Sequence, residues 1–153
     1  RIKNQRHSYP IKLKIAQLST TNLMSHFSKI KTKLKEKEPL ISALNQLGYT
    51  IDTEDKFVKG YNGQFTSVDI SLDLSGNTKA GFKWNQSSNS FELVTDIDLW
   101  KFDLPIERFI SKITQLYAYN TILLKTKEDG YQLVEEKNQN DGSIELVLTK
   151  WDS

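Results

Sequence analysis

Two histidines, His7 and His26, and no cysteine among 153 residues set narrow limits on the chemistry available to this chain. Without thiolates there are no disulfides, no thiolate zinc sites, no Cys-ligated iron–sulfur cluster and no cysteine nucleophile. A serine nucleophile needs a positioned base; no G-x-S-x-G occurs, and His26, with no motif around it, reads as a strand-end residue. Gly60-Tyr61-Asn62-Gly63 lacks the Lys and Ser/Thr of a P-loop and the strand-to-helix setting of a dinucleotide fingerprint, so it reads as a turn. The carboxylate pairs Asp96/Asp98 and Glu135/Glu136 could support acid–base or glycosidic chemistry only at a defined separation and environment. Spacing alone favours solvated strand ends. The expectation is therefore no catalytic residue, no metal ligand and no cofactor, with a small enzyme using Asp96, Asp98 or Glu135 ranked last among the functional hypotheses.

Two sets of residues point to binding instead. Lys29, Lys31 and Lys33 alternate along one stretch, and on a strand their side chains would stand about 6.6 Å apart, a row able to follow a phosphate backbone with salt-sensitive, sequence-blind affinity. The favoured alternative is that Asp69 and Asp73, outward on another strand of the same sheet, sit opposite these lysines as ion pairs. Trp100, Tyr119, Trp151 and Tyr61 fall off the main apolar stripes or in connections. Exposed aromatics of this kind anchor partner proteins, and they also cover sheet edges and helix ends.

The elements that must position these residues follow from composition and pattern. At 153 residues and 37% hydrophobic, the chain is long enough for one domain with a real core. No apolar run approaches the roughly 20 residues of a membrane span. The formal net charge of +2 hides an asymmetry: residues 1–38 hold ten Lys and Arg against two acids, and residues 39–153 hold eleven against seventeen. Part of this lies in a basic leader, 1–23, which has no Asp or Glu and clusters Ser19, Thr20 and Thr21. Its composition fits a transit peptide or an over-extended reading frame before Met24; the second is favoured, because the alternating pattern begins there. The expected division is a basic leader 1–23 outside the core and a single domain over 24–153.

Residues 26–34 alternate as a half-buried strand, with Ser28, Ile30, Thr32 and Leu34 on one side and Phe27 and the lysines on the other. Pro39, then Leu40, Ile41, Leu44 and Leu47, with Gly48 as the stop, predict a short amphipathic helix. A meander follows over 49–96, with a two-residue hairpin turn at Asn62-Gly63 and one long strand over Phe65–Leu74. Pro105 opens a helix of about six turns that ends at Gly130, and a final hairpin turns at Asn140-Asp141-Gly142. The order β-α-β-meander-α-β-β predicts an α+β fold, with an antiparallel sheet of six to seven strands and both helices on one face.

Met24-Ser-His-Phe-Ser-Lys-Ile-Lys-Thr-Lys-Leu-Lys35, Leu47-Gly-Tyr49, Gly60-Tyr-Asn-Gly-Gln64, Gly81-Phe-Lys-Trp-Asn85, Phe91-Glu-Leu-Val94, Gln115-Leu-Tyr-Ala-Tyr-Asn120 and Asp141-Gly-Ser-Ile144 together carry a resemblance. The chain resembles the hypothetical chloroplast reading frame thirty-five family of algal plastids and cyanobacteria across almost all of 24–153, the leader lying outside. The resemblance implies a plastid, stromal protein made inside the organelle. It implies no activity and no catalytic residues that could be transferred. The leading functional expectation is a non-enzymatic accessory or assembly module that binds another plastid protein through a sheet edge or the aromatic rim. The alternative is an RNA-associated protein using Lys29, Lys31 and Lys33.

Overall fold

The computed structural model describes residues 2–11, 20–22, 27–52 and 54–151, the side chains of 2–11, 20–22, 62 and 151 excepted. In chain order the elements are β1 (Ile2–Ile11), β2 (Thr20–Asn22), β3 (Phe27–Lys31), α1 (Lys37–Gln46), β4 (Thr50–Asp52), β5 (Phe57–Lys59), β6 (Phe65–Ser67), β7 (Ile70–Leu74), β8 (Thr78–Asn85), β9 (Ser90–Asp96), α2 (Ile106–Glu128), β10 (Tyr131–Asn138) and β11 (Ile144–Trp151). Every pairing among the described strands is antiparallel, and with two helices the class is α+β, as the pattern predicts. Backbone contacts gather into two compact units, residues 15–113 and residues 1–14 with 114–153.

The larger unit is built on a six-stranded sheet in the order β2-β3-β9-β8-β7-β4. Alternation gives it one strongly apolar face, where Ile30, Leu93, Phe82, Ala80, Leu72 and Leu74 are buried. Leu40, Ala43 and Leu44 of α1 and Phe109, Ile110 and Ile113 at the start of α2 are buried in the same unit. Both helix boundaries obey their local signals: α1 runs into Leu47 and Gly48, whose φ of +80° suits only glycine comfortably, and the carbonyl of Pro105 accepts the Phe109 N–H.

The opposite face carries Lys29, Lys31, Glu92, Val94, Asp96, Lys79, Gly81, Lys83, Ser71 and Asp73, read from the strand registers. Its middle is not bare. A separate two-stranded sheet, β5-β6, lies over it, and Val58 and Val68 form a buried cluster with Phe27 and Val94. This explains why Phe27 is buried although it shares the lysine side of β3. It also corrects the expected long strand over 65–74. The chain leaves β6 at Val68 and Asp69, where the Asp69 carboxylate accepts the Trp84 N–H at 2.6 Å, and only then joins the main sheet as β7. The hairpin connection is likewise wider than a two-residue turn, a 3-10 turn over Tyr61–Gly63 closed by Gly60 N–H to Gln64 O at 2.7 Å.

The strand order overturns the expected pairing of the lysine row. β9 and β8 stand between β3 and β7, so Lys29, Lys31 and Lys33 do not face Asp69 and Asp73. Asp73 pairs with Lys79 on the adjacent strand instead. Lys31 lies across from Glu92, which lies in turn across from Lys83.

In the smaller unit, β1, β11 and β10 form a sheet in that order. Ile2–Ile11, expected outside the core, pairs antiparallel with β11 from Ile2 opposite Trp151 to Ile11 opposite Ile144, with a register shift between Lys3 and Arg6. The strand β11 thereby has its backbone groups paired on both sides, which satisfies donors and acceptors that a terminal strand would leave to water. Ile144 and Leu146 pack with Ala118, Tyr119, Ile122 and Leu133, so this part of α2 covers the sheet with its apolar stripe.

Candidate functional site

The hairpin formed by β5 and β6 presents two faces because its residues alternate. Val58 points down and is fully buried. Phe57 and Lys59 on β5, with Phe65 and Ser67 on β6, point away from the main sheet. Phe57 pairs with Ser67 and Lys59 with Phe65, so the two phenylalanines are diagonal neighbours on the outward face. They are 51% and 60% exposed, and Tyr61 in the connecting turn is 51% exposed. Large aromatics left this open on one short element are unusual, because each forgoes about half of the roughly 1.5–3 kcal/mol that full burial is worth.

The hairpin is held from below by polar contacts as well as by its buried valines. Asp96, only 2% exposed at the end of β9, accepts the backbone N–H of Tyr61 at 3.1 Å and that of Asp98 at 3.0 Å. One carboxylate thus ties the hairpin turn to the 3-10 turn Ile97–Leu99, whose Ile97 and Leu99 are themselves exposed. Ser71 Oγ donates to the Phe57 carbonyl at 3.3 Å, and Lys83 Nζ to Ser67 Oγ at 3.2 Å. At the entrance, Asp52 Oδ1 accepts the N–H groups of Glu54 and Asp55, and these bonds hold its carboxyl below the usual aspartate range. Two glycines allow the close approach: a Cβ on Gly60 would lie 2.6 Å from the Phe27 ring, and one on Gly81 would lie 2.7 Å from the Val68 side chain.

The four aromatics singled out by sequence are not brought together. Tyr61 sits on the hairpin. Trp100 belongs to a ring cluster with Phe102 and Phe109, with centroids 6.1 and 5.2 Å away, and its indole N–H donates to the Leu104 carbonyl at 2.8 Å. Tyr119 packs on Ile144 and Leu146 and donates its hydroxyl to Glu136 Oε2 at 3.0 Å. Burial first, then this carboxylate, raises the Tyr119 phenol above its ordinary value. The side chain of Trp151, like those of His7 and His26, lies outside the described residues. Phe57 and Phe65 are not among the residues singled out from sequence, where both fall in strands; the signal for their outward face is Val58, buried between Phe57 and Lys59.

The remaining candidates for chemistry are engaged locally. Asp96 and Asp98 meet through a backbone turn, and Glu135 lies 3.6 Å from Lys137 on an exposed strand. Among the described residues no group of three or more His, Asp or Glu is placed to hold a metal ion. A groove of about 490 Å³ between α2 and β10 is lined by Leu123, Thr126, Lys127, Tyr131 and Leu133, with no pair of acids in its wall. No helix among the described residues is long and apolar enough to cross a membrane.

Residues 43–147 match the model of a family described as a protein of unknown function, DUF1257. The chain belongs to this family. It is also 40% identical over 128 residues to "Uncharacterized protein ycf35" of Guillardia theta, covering 84% of this chain and 98% of that protein. The namesake proteins of Pyropia yezoensis and Cyanophora paradoxa are 36% and 32% identical over the same share of each chain. The resemblance carried by the sequence blocks is borne out, and the shared name, that of a plastid reading frame, agrees with the plastid setting it implies. No solved structure matches the chain. The family description names no activity.

Proposed function

We propose that this protein is a non-enzymatic accessory module of the plastid stroma that docks a plastid protein through the β5-β6 hairpin. The observation that carries this reading is the outward aromatic set, Phe57, Tyr61 and Phe65, held open to solvent on a hairpin whose other side is firmly anchored. Aromatic anchors on a preformed scaffold supply contact area at low ordering cost. The plastid relatives support the setting, and the reading of the stroma follows the family resemblance. Chemical crosslinking of the native protein in a stromal extract tests the proposal. A crosslinked adduct that disappears with Phe57→Glu is expected, and a strictly solitary protein overturns it.

A second reading rests on the lysine row, because Lys31 and Lys33 are exposed and unopposed by Asp69 and Asp73. Binding to single-stranded RNA through three lysines would weaken with a log–log salt slope of about −2. Affinity that stays flat between low and high salt, or survives replacement of Lys29, Lys31 and Lys33 by Gln, removes this reading.

A further inference from the structure

We infer that the outward face of the β5-β6 hairpin docks a second copy of this chain, related by a two-fold axis through Phe57. The inference rests on the docking role given to this hairpin and names its partner. A two-fold interface presents one patch to itself, so the patch must be complementary to its own image, with residue i meeting j and j meeting i. The outward row around β5 has this property. Asp55 precedes Phe57 by two residues and Lys59 follows it by two, and all three are exposed. The pairing with the neighbouring strand reaches back one residue beyond β5, to Lys56, whose carbonyl accepts the Val68 N–H at 2.9 Å. Side chains two apart share a face, so Phe57 and Lys59 stand on one side of β5, and Asp55, its N–H held in the Asp52 turn, lies just before the strand, across Phe57 from Lys59.

Laying two such rows face to face and antiparallel sets Phe57 against its counterpart. Each Asp55 then falls opposite the other copy's Lys59, giving two ion pairs across one apolar centre. Phe65, level with Lys59 on the neighbouring strand, covers each ion pair from one side. Neither the Asp55 carboxylate nor the Lys59 ammonium makes an ion pair among the described residues. The rest of the unit does not oppose the approach, since residues 15–113 carry twelve Lys and Arg against twelve Asp and Glu. Phe57, Tyr61, Phe65, Ile97 and Leu99 together expose on the order of 400–500 Å² of apolar surface, a suitable centre for the roughly 800 Å² that each partner contributes to a standard interface. A lipid surface fits less well, because Asp98 lies between Ile97 and Leu99 and Asp55 stands at the edge of the patch.

Sedimentation of the full chain from about 1 to about 200 µM tests this, with the average mass expected to rise from 17.7 kDa toward twice that value. Asp55→Lys and Lys59→Asp each place two like-charged pairs in the dimer and should weaken it by about tenfold. An equimolar mixture of the two variants restores both pairs and should associate as tightly as the unaltered protein. Both substitutions fall on exposed positions, and each variant in the mixture controls for the folding of the other. A monomer at every concentration, or a mixture no tighter than its components, overturns the second-copy inference. If a crosslinked stromal adduct is still lost with Phe57→Glu, the docking role stands without it; loss of both results removes both.

Discussion

Asp96 and Gly81 do related work from opposite directions, one by holding the hairpin and one by leaving it room. Both N–H groups bonded by the Asp96 carboxylate belong to turns. Asp96→Ala leaves them without their acceptor and should cost about 1–3 kcal/mol. The measurable consequences are a lower melting temperature and faster tryptic cleavage after Lys59. Gly81→Ala would drive a methyl group into Val68 and the Ile70 carbonyl, 2.7 and 2.9 Å away. Overpacking of this kind costs about 1–3 kcal/mol in thermal or urea unfolding. Tyr119 makes a prediction at alkaline pH. Its phenol is raised by burial and by Glu136, so its protonated form is favoured in the folded chain. The stability it contributes is full below the ordinary phenol value near 10 and falls as pH rises through the higher folded value. Ultraviolet titration should show two late-ionising phenols, Tyr49, raised by burial, and Tyr119, and Tyr119→Phe should remove one of them.

Asp52 and the hairpin it introduces obey the reverse sign. The Asp52 carboxyl is held low by the N–H groups of Asp55 and Glu54, so the turn is intact above the ordinary aspartate value near 3.9 and loosens as pH falls through the lower folded value. Tryptic sites at Lys56 and Lys59 do not suit such acid conditions, but pepsin cleavage beside Phe57 does, and it should accelerate at low pH and in Asp52→Ala at any working pH. How legible these elements were depended on whether their signals were local. The helices were readable because Pro39 with Gly48, and Pro105 with Gly130, mark their ends while the apolar spacing marks their faces. The β5-β6 hairpin was readable as strand and turn, yet not as a layer of its own. Nothing local distinguishes Val68, which drops toward Phe27, from the alternating residues that follow it in β7. The pairing of Lys29, Lys31 and Lys33 failed for a related reason, since period-two alternation assigns a face and strand order assigns the neighbour.

Three edge strands of the larger sheets are poor templates for a further strand. β4 and β2, at the ends of the six-stranded sheet, are three residues each. β10, at one end of the other sheet, has a register shift between Leu133 and Glu135 and carries Glu135, Glu136 and Lys137. Short edges, bulges and charges discourage the addition of a further strand. Peptides matching β10 should therefore leave the chain's mass in sedimentation unchanged. The centre of the larger unit has the contrary character. All seven residues of β9 are buried, with β3 and β8 on either side, Leu93 in the apolar face and Val94 beneath the hairpin. Water can reach its amides only when the layers above and below have both come away. In heavy water β9 should be the last segment to take up deuterium, and its rate should report the opening of the whole unit, where that of β10 reports only local fraying.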